Sequence, residues 1–209
     1  MRSAAAGACV AMIVAAACGP TKDAKRGTDG STPATGRRGE PSITGFLQVP
    51  FGATREQVVA KLGPPTGVAD WDESVALNYP GRTLFDQQAE PTLVVHPRAG
   101  LVQGNYLVRL HDFARDCETV FHRLEWSIAA RYPRIEPERT RRQDGPGRFC
   151  DAVMEGRAWT EAKLADPVNG ATVRVAVSPG RPFIDVTYVS AAGQRLVDAR
   201  SDRELKNNF

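Results

Sequence analysis

The first 42 residues of this chain divide into a short apolar run and a polar stretch without large apolar side chains, and that division decides where its fold must be built. After Met1-Arg2, residues 4–17 form an unbroken run of small or apolar residues. The run is too short for the ~20 helical positions that cross a hydrocarbon core, but it has the length of the apolar region of a secretory signal peptide. Residues 19–42 then contain no aromatic and no large apolar side chain; Thr, Gly, Pro, Lys, Arg and Asp dominate. Such a segment buries too little surface to offset the entropy of ordering it, so it reads as a disordered tether with an r.m.s. span of about 25–30 Å. The folded body is therefore expected within residues 43–209.

Between leader and tether stands Ala15-Ala16-Ala17-Cys18-Gly19. Small residues before a cysteine at the end of an apolar run resemble the lipobox of bacterial lipoproteins. The resemblance implies a signal peptide over residues 1–17 and an acylated Cys18 opening a tether over 18–42. Ala15 departs from it, because the pattern prefers Leu there. Plain cleavage after the Ala-x-Ala site, releasing a secreted protein, is the other reading. The lipoprotein rule places Asp after the cysteine for inner-membrane retention, so Gly19 implies an outer-membrane lipoprotein facing the periplasm. The membrane is then a partner through the N-terminal lipid.

Charge and cysteines agree with an envelope address. The formal charge is +3, but Arg2 and residues 19–42 carry all of it, leaving 43–209 neutral. A neutral body lacks the basic field of a nucleic-acid binder, so no nucleic-acid partner is expected. Of four cysteines, Cys9 lies in the leader and Cys18 ends it, which leaves Cys117 and Cys150. An even pair in an oxidising space predicts a disulfide. A thiol nucleophile, or a metal site with His111 and His122, is the competing reading, although spacings of six and five residues match no standard zinc pattern.

Local signals outline an α+β domain over residues 43–190. Thr54 and Gln57 form a capping box, Val58, Val59 and Leu62 an apolar stripe, and Gly63-Pro64-Pro65 a stop, so residues 54–63 predict a helix. Alternation predicts strands at 75–79, 92–96 and 101–110, with Trp71 and Phe85 outside any period. A second helix is expected over 117–131 with Asp116 as N-cap, burying Cys117, Val120, Phe121, Leu124 and Ile128 on one face. Residues 133–149 read as an irregular loop, followed by strands at 152–160, 171–177 and 183–189. Residues 191–209 read as a helical or disordered tail. The expected plan is two α-β-β-β units, an antiparallel sheet with the helices packed on one face.

The segment Gly52-x-Thr54-x-x-Gln57-Val58-x-x-x-Leu62-Gly63-x-Pro65 resembles the opening motif of the SmpA/OmlA (BamE-like) small lipoproteins. Arg131-Tyr132-Pro133 and Tyr188-Val189-Ser190 occupy two later landmarks of the wider pattern, with Pro133 where that pattern has Gly. The doubled helix-plus-meander plan is similar in outline to the secreted β-lactamase inhibitor proteins. These resemblances imply a non-catalytic binding or envelope-assembly module acting with another envelope protein. A secreted inhibitor or ligand-binding protein is the alternative.

No serine-hydrolase, zinc-protease, P-loop or dinucleotide fingerprint appears in the sequence. No enzyme activity, cofactor or metal is expected. Residues 131–148 carry six arginines against three acidic residues, and Trp126 lies about 180° from Cys117 on the helical wheel. Trp126 with Arg134, Arg139, Arg141 and Arg142 is therefore the candidate interaction surface. The plainer reading has the 133–148 loop covering Trp126 and pairing its arginines internally.

Overall fold

A computed structural model describes residues 42–207; the leader, Cys18 and the expected tether up to residue 41 lie outside the described residues. The body opens on a minimal hairpin, β1 (Gly45–Phe46) and β2 (Val49–Pro50), and the expected helix follows as α1 (Arg55–Leu62). Thr54 caps it with both bonds of the capping box in place, and Gly63 ends it at φ 84°. A left-handed residue there suits glycine. Thr54→Ala is expected to cost about 1 kcal/mol, read as a shift in the urea midpoint without a change in slope.

Five strands come next: β3 (Gly67–Trp71), β4 (Ser74–Asn78), β5 (Arg82–Leu84), β6 (Gln87–His96) and β7 (Gly100–Arg109). The second helix, α2 (Phe113–Arg131), starts a turn earlier than its apolar stripe suggests. Asp112, not Asp116, is the N-cap and accepts from Arg115 N, while Asp116 pairs with the Arg115 side chain. The predicted face is buried as expected: Cys117, Val120, Phe121, Leu124 and Ile128.

Beyond α2 two expectations fail. Residues 133–149 are not all loop, because β8 (Glu138–Gln143) lies within them. The strand expected at 152–160 is instead α3 (Phe149–Met154) followed by β9 (Ala158–Ala165). The chain continues through β10 (Thr172–Val177), β11 (Phe183–Val189) and α4 (Ala191–Asn207).

The fold is α+β with an antiparallel sheet. The strands run β3-β4-β6-β7-β11-β10-β9-β8, with β5 on the free half of β6. β6 pairs β5 through Gln87–Ala89 and β4 through Thr92–Val95. Pro91, which has no N–H to give, stands in the interval where β6 changes partner. One continuous core forms on a single sheet face: Leu77, Leu93, Val108, Ile184, Val186, Val175 and Leu164 lie under residues of α1, α2 and α3. α4 departs from the expected single-face arrangement. Its Gly193 packs on the Val102 carbonyl and Val189 Cγ1, on the opposite face.

Candidate functional site

A cleft of about 470 Å³ opens between α2, the β1–β2 hairpin and the sheet. Its floor is Tyr106 on β7 with Val186 and Tyr188 on β11, and α2 supplies Leu124, Ile128, Arg131 and the capping residue Tyr132. Phe46 forms one wall, its ring 4.7 Å from Tyr106 and 5.3 Å from Tyr188. The ring sits directly over Gly104, where a Cβ would fall 2.1 Å from Phe46 Cγ. Glycine is therefore required at 104 by contact, not by backbone angle. Gly104→Ala is expected to push Phe46 toward the cleft and cost about 1–3 kcal/mol, measured by thermal unfolding.

Two tight turns frame the opening. Leu47 and Gln48 close β1–β2 with φ of 53° and 63°, and Phe85 and Asp86 close β5–β6 with φ of 51° and 64°. Two-residue hairpins need left-handed central positions, which Asn and Gly supply cheaply and Leu, Gln and Phe do not. Arg123 on α2 holds the second turn, lying 5.5 Å over the Phe85 ring and 3.7 Å from the Asp86 carboxylate.

The polar chemistry of the cleft is phenolic. Tyr132 and Tyr188 are 4% and 9% exposed as residues, but the one buried side-chain polar atom without a partner among the described residues is Tyr79 Oη, so the hydroxyls of Tyr132 and Tyr188 are open to the water of the cleft. Burial pushes the ionisation of Tyr106, Tyr132 and Tyr188 upward, most strongly at Tyr188, while the Arg131 guanidinium pulls each partly back. All three therefore remain neutral donors at physiological pH.

The arginines of the candidate interaction surface point in different directions. Arg139 and Arg141 point from β8 toward α2; Arg139 pairs with buried Glu125, and Arg141 with Glu118 at 2.7 Å. The Arg141 guanidinium also stacks 4.1 Å over Phe149. Both residues thus fasten the sheet edge to α2. Arg142 alternates to the other sheet face and meets Asp144 at 3.0 Å, and Arg134 lies in the turn after α2. Trp126 is not covered by residues 133–148: it is 73% exposed on α2. The covering segment became β8, whose arginines reach α2 along the Glu118–Glu125 side instead.

Cys117 and Cys150 form a disulfide between α2 and α3 with Cα atoms 5.9 Å apart, which removes Cys117 as thiolate or metal ligand. His122 lies 3.3 Å from Glu125, and His96 Nδ1 accepts from the N–H groups of Arg98 and Ala99. Among the described residues no three of His, Cys, Asp and Glu gather as a metal site.

Sequence reasoning missed a polar clamp at the first described residues, Ser42 and Ile43. Asp166, 3% exposed in the β9–β10 turn, accepts from Ser42 Oγ, from Ile43 N at 3.0 Å and from Val168 N at 2.9 Å. Asn169 adds a bond to the Ile43 carbonyl at 3.1 Å. The Asp-Pro-Val-Asn-Gly turn signature of residues 166–170 was the available clue. No family model, curated protein or solved structure matches this chain.

Proposed function

We propose that this chain is an envelope lipoprotein, acylated at Cys18 and facing the periplasm, whose body is a non-catalytic binding module using the aromatic cleft. The observation that carries the reading is the cleft itself, an aromatic and aliphatic concavity with tyrosines in its floor and the Arg131 guanidinium among its lining. Small-molecule sites are concavities of this kind, lined mostly by apolar and aromatic side chains with a few polar groups that orient the ligand. Neutral phenols serve that role and are poorly suited to proton transfer at neutral pH.

Other features support the same reading. The Cys117–Cys150 bond suits an oxidising compartment. The Asp166 clamp anchors the body at the residue where the tether arrives, within the stretch that also contributes Ser42 and Thr44 to the cleft. Helix α1 leads β3, β4, β6 and β7, and α2 leads β8 to β11, the two sets abutting through β7 and β11. Each set has four main strands rather than the three expected, and α3 interrupts the second between β8 and β9, so the order supports the resemblance to SmpA/OmlA lipoproteins and to β-lactamase inhibitor proteins in outline alone.

A second reading, a secreted inhibitor acting through the open sheet face, draws on half-buried Trp159 and Phe183 there. Between them lies polar surface, including an Arg174–Glu161 pair at 3.0 Å and an Asn105–Thr187 bond at 2.8 Å, so no aromatic stripe forms. Photo-crosslinking decides between the two. Benzoylphenylalanine replacing Phe85 at the cleft should capture a ligand or envelope partner in intact cells, and the same probe replacing Trp159 should not. Capture at Trp159 alone would favour the inhibitor reading.

A further inference from the structure

Resting on the cleft as the binding site, we infer that its ligand is a small amphipathic carboxylate, with its apolar body on Phe46, Leu124 and Val186 and its carboxylate on Arg131 and the tyrosine hydroxyls. Among the described lining residues Arg131 is the one charged side chain, and none is acidic. An uncompensated guanidinium beside a concavity selects an anion, and its planar fork fits a carboxylate. One lining cation matches a monoanion better than a doubly charged phosphate.

The hydroxyls set a second requirement. Tyr132 and Tyr188 line the cleft and their hydroxyls bond to no described residue, so acceptor oxygens on a ligand find donors there. A carboxylate supplies two oxygens with about four lone-pair sites, enough to serve Arg131 and a phenol together. The Arg131 guanidinium lies 5.8 Å over the Tyr132 ring, so cation and phenol are neighbours at the cleft. The walls set a third requirement. They are aromatic and aliphatic and would leave a small hydrated anion without contacts, whereas an alkyl or aryl body removes apolar area from water. The volume, about 470 Å³, lies in the range of small-molecule pockets, about 300–1,000 Å³.

The test is calorimetry on the full chain carrying Cys18→Ser, so that no detergent competes. Octanoate and 4-phenylbutyrate are titrated beside the neutral octanol and 4-phenylbutanol, separating alkyl from aryl ligands as well as acid from alcohol. Each favoured acid should bind one to one, about tenfold or more tighter than its alcohol. Arg131→Gln should abolish the difference while leaving the alcohol unchanged, and Tyr132→Phe with Tyr188→Phe should weaken acid and alcohol alike. Equal binding of acid and alcohol, or acid binding indifferent to Arg131→Gln, overturns the carboxylate assignment and leaves the cleft standing as a binding site. Absence of binding by all four probes overturns the cleft reading and this inference together.

Discussion

Replacing Cys117 and Cys150 together with alanine is expected to lower stability by about 3–4 kcal/mol, which for a body of this size moves Tm down by roughly 10 °C. The bond spans 33 residues, and closing a loop of that length removes entropy from the unfolded chain by about this amount. Both cysteines are also core residues, 0% and 4% exposed, so the lost sulfur contacts add to the loss. The loss should not be uniform. α3 has six residues, and β8 is an exposed edge strand held by Arg139 and Arg141. Hydrogen exchange should therefore show α3 and β8 opening first while β6, β7 and β11 stay protected. Reducing the unaltered chain should lower the urea midpoint by somewhat less than the double variant does, because both sulfurs remain in the core. An unchanged midpoint in both cases would remove the bond from the account of stability.

Asp166→Ala is expected to be the next most damaging change, costing about 3 kcal/mol, because it strands the buried Ile43 N–H and removes the acceptor for Ser42 and Val168. Asp166→Asn retains one acceptor oxygen in place of two and should cost about half as much. The carboxyl also carries a pH signature. Burial raises its ionisation, but hydrogen bonds from Ser42, Val168, Ile43 and Asn169 outweigh that and leave it below its ordinary value. The folded state then binds this proton less tightly than the unfolded chain. Its contribution is complete above the unfolded value, about 3.9, and is lost as pH falls through the lower folded value. Urea midpoints between pH 6 and pH 2 should show a steeper acid loss in the unaltered chain than in Asp166→Ala. Parallel curves would count against the clamp.

Legibility in the sequence followed burial and capping chemistry. α1 could be read because Thr54, Gln57 and Gly63 carry its ends in their own side chains or lack of one. The buried face of α2 could be read because Cys117, Val120, Phe121, Leu124 and Ile128 repeat at helical spacing. Its start could not, since Asp112 and Asp116 are equally good caps and only the fold shows which one meets a free N–H. β8 gave no signal: Glu-Arg-Thr-Arg-Arg-Gln has no apolar period, because its inward positions reach glutamates on α2 rather than a core. The β1–β2 and β5–β6 hairpins were invisible because Leu47-Gln48 and Phe85-Asp86 are not turn formers. The first half of β6 was hidden by Pro91, which reads as a break unless the change of partner is known.

The cleft was legible only in fragments. Tyr132 and Tyr188 drew notice as landmarks of a pattern, but Tyr106 and Phe46 did not, and tertiary packing alone brings the four rings together. The arginines drew notice for their number. Number says nothing of direction, and alternation along β8 sends Arg139 and Arg141 one way and Arg142 the other.

An address outside the cytosol, with the body moored through Cys18, underlies the whole account. The intact mass of the chain recovered from cells, with and without thiol alkylation, tests it most directly. The account predicts a membrane-extracted species that begins at Cys18, carries acyl chains, and leaves Cys117 and Cys150 unalkylated until reduced. A soluble species retaining Met1, with both of those cysteines alkylated at once, would contradict it.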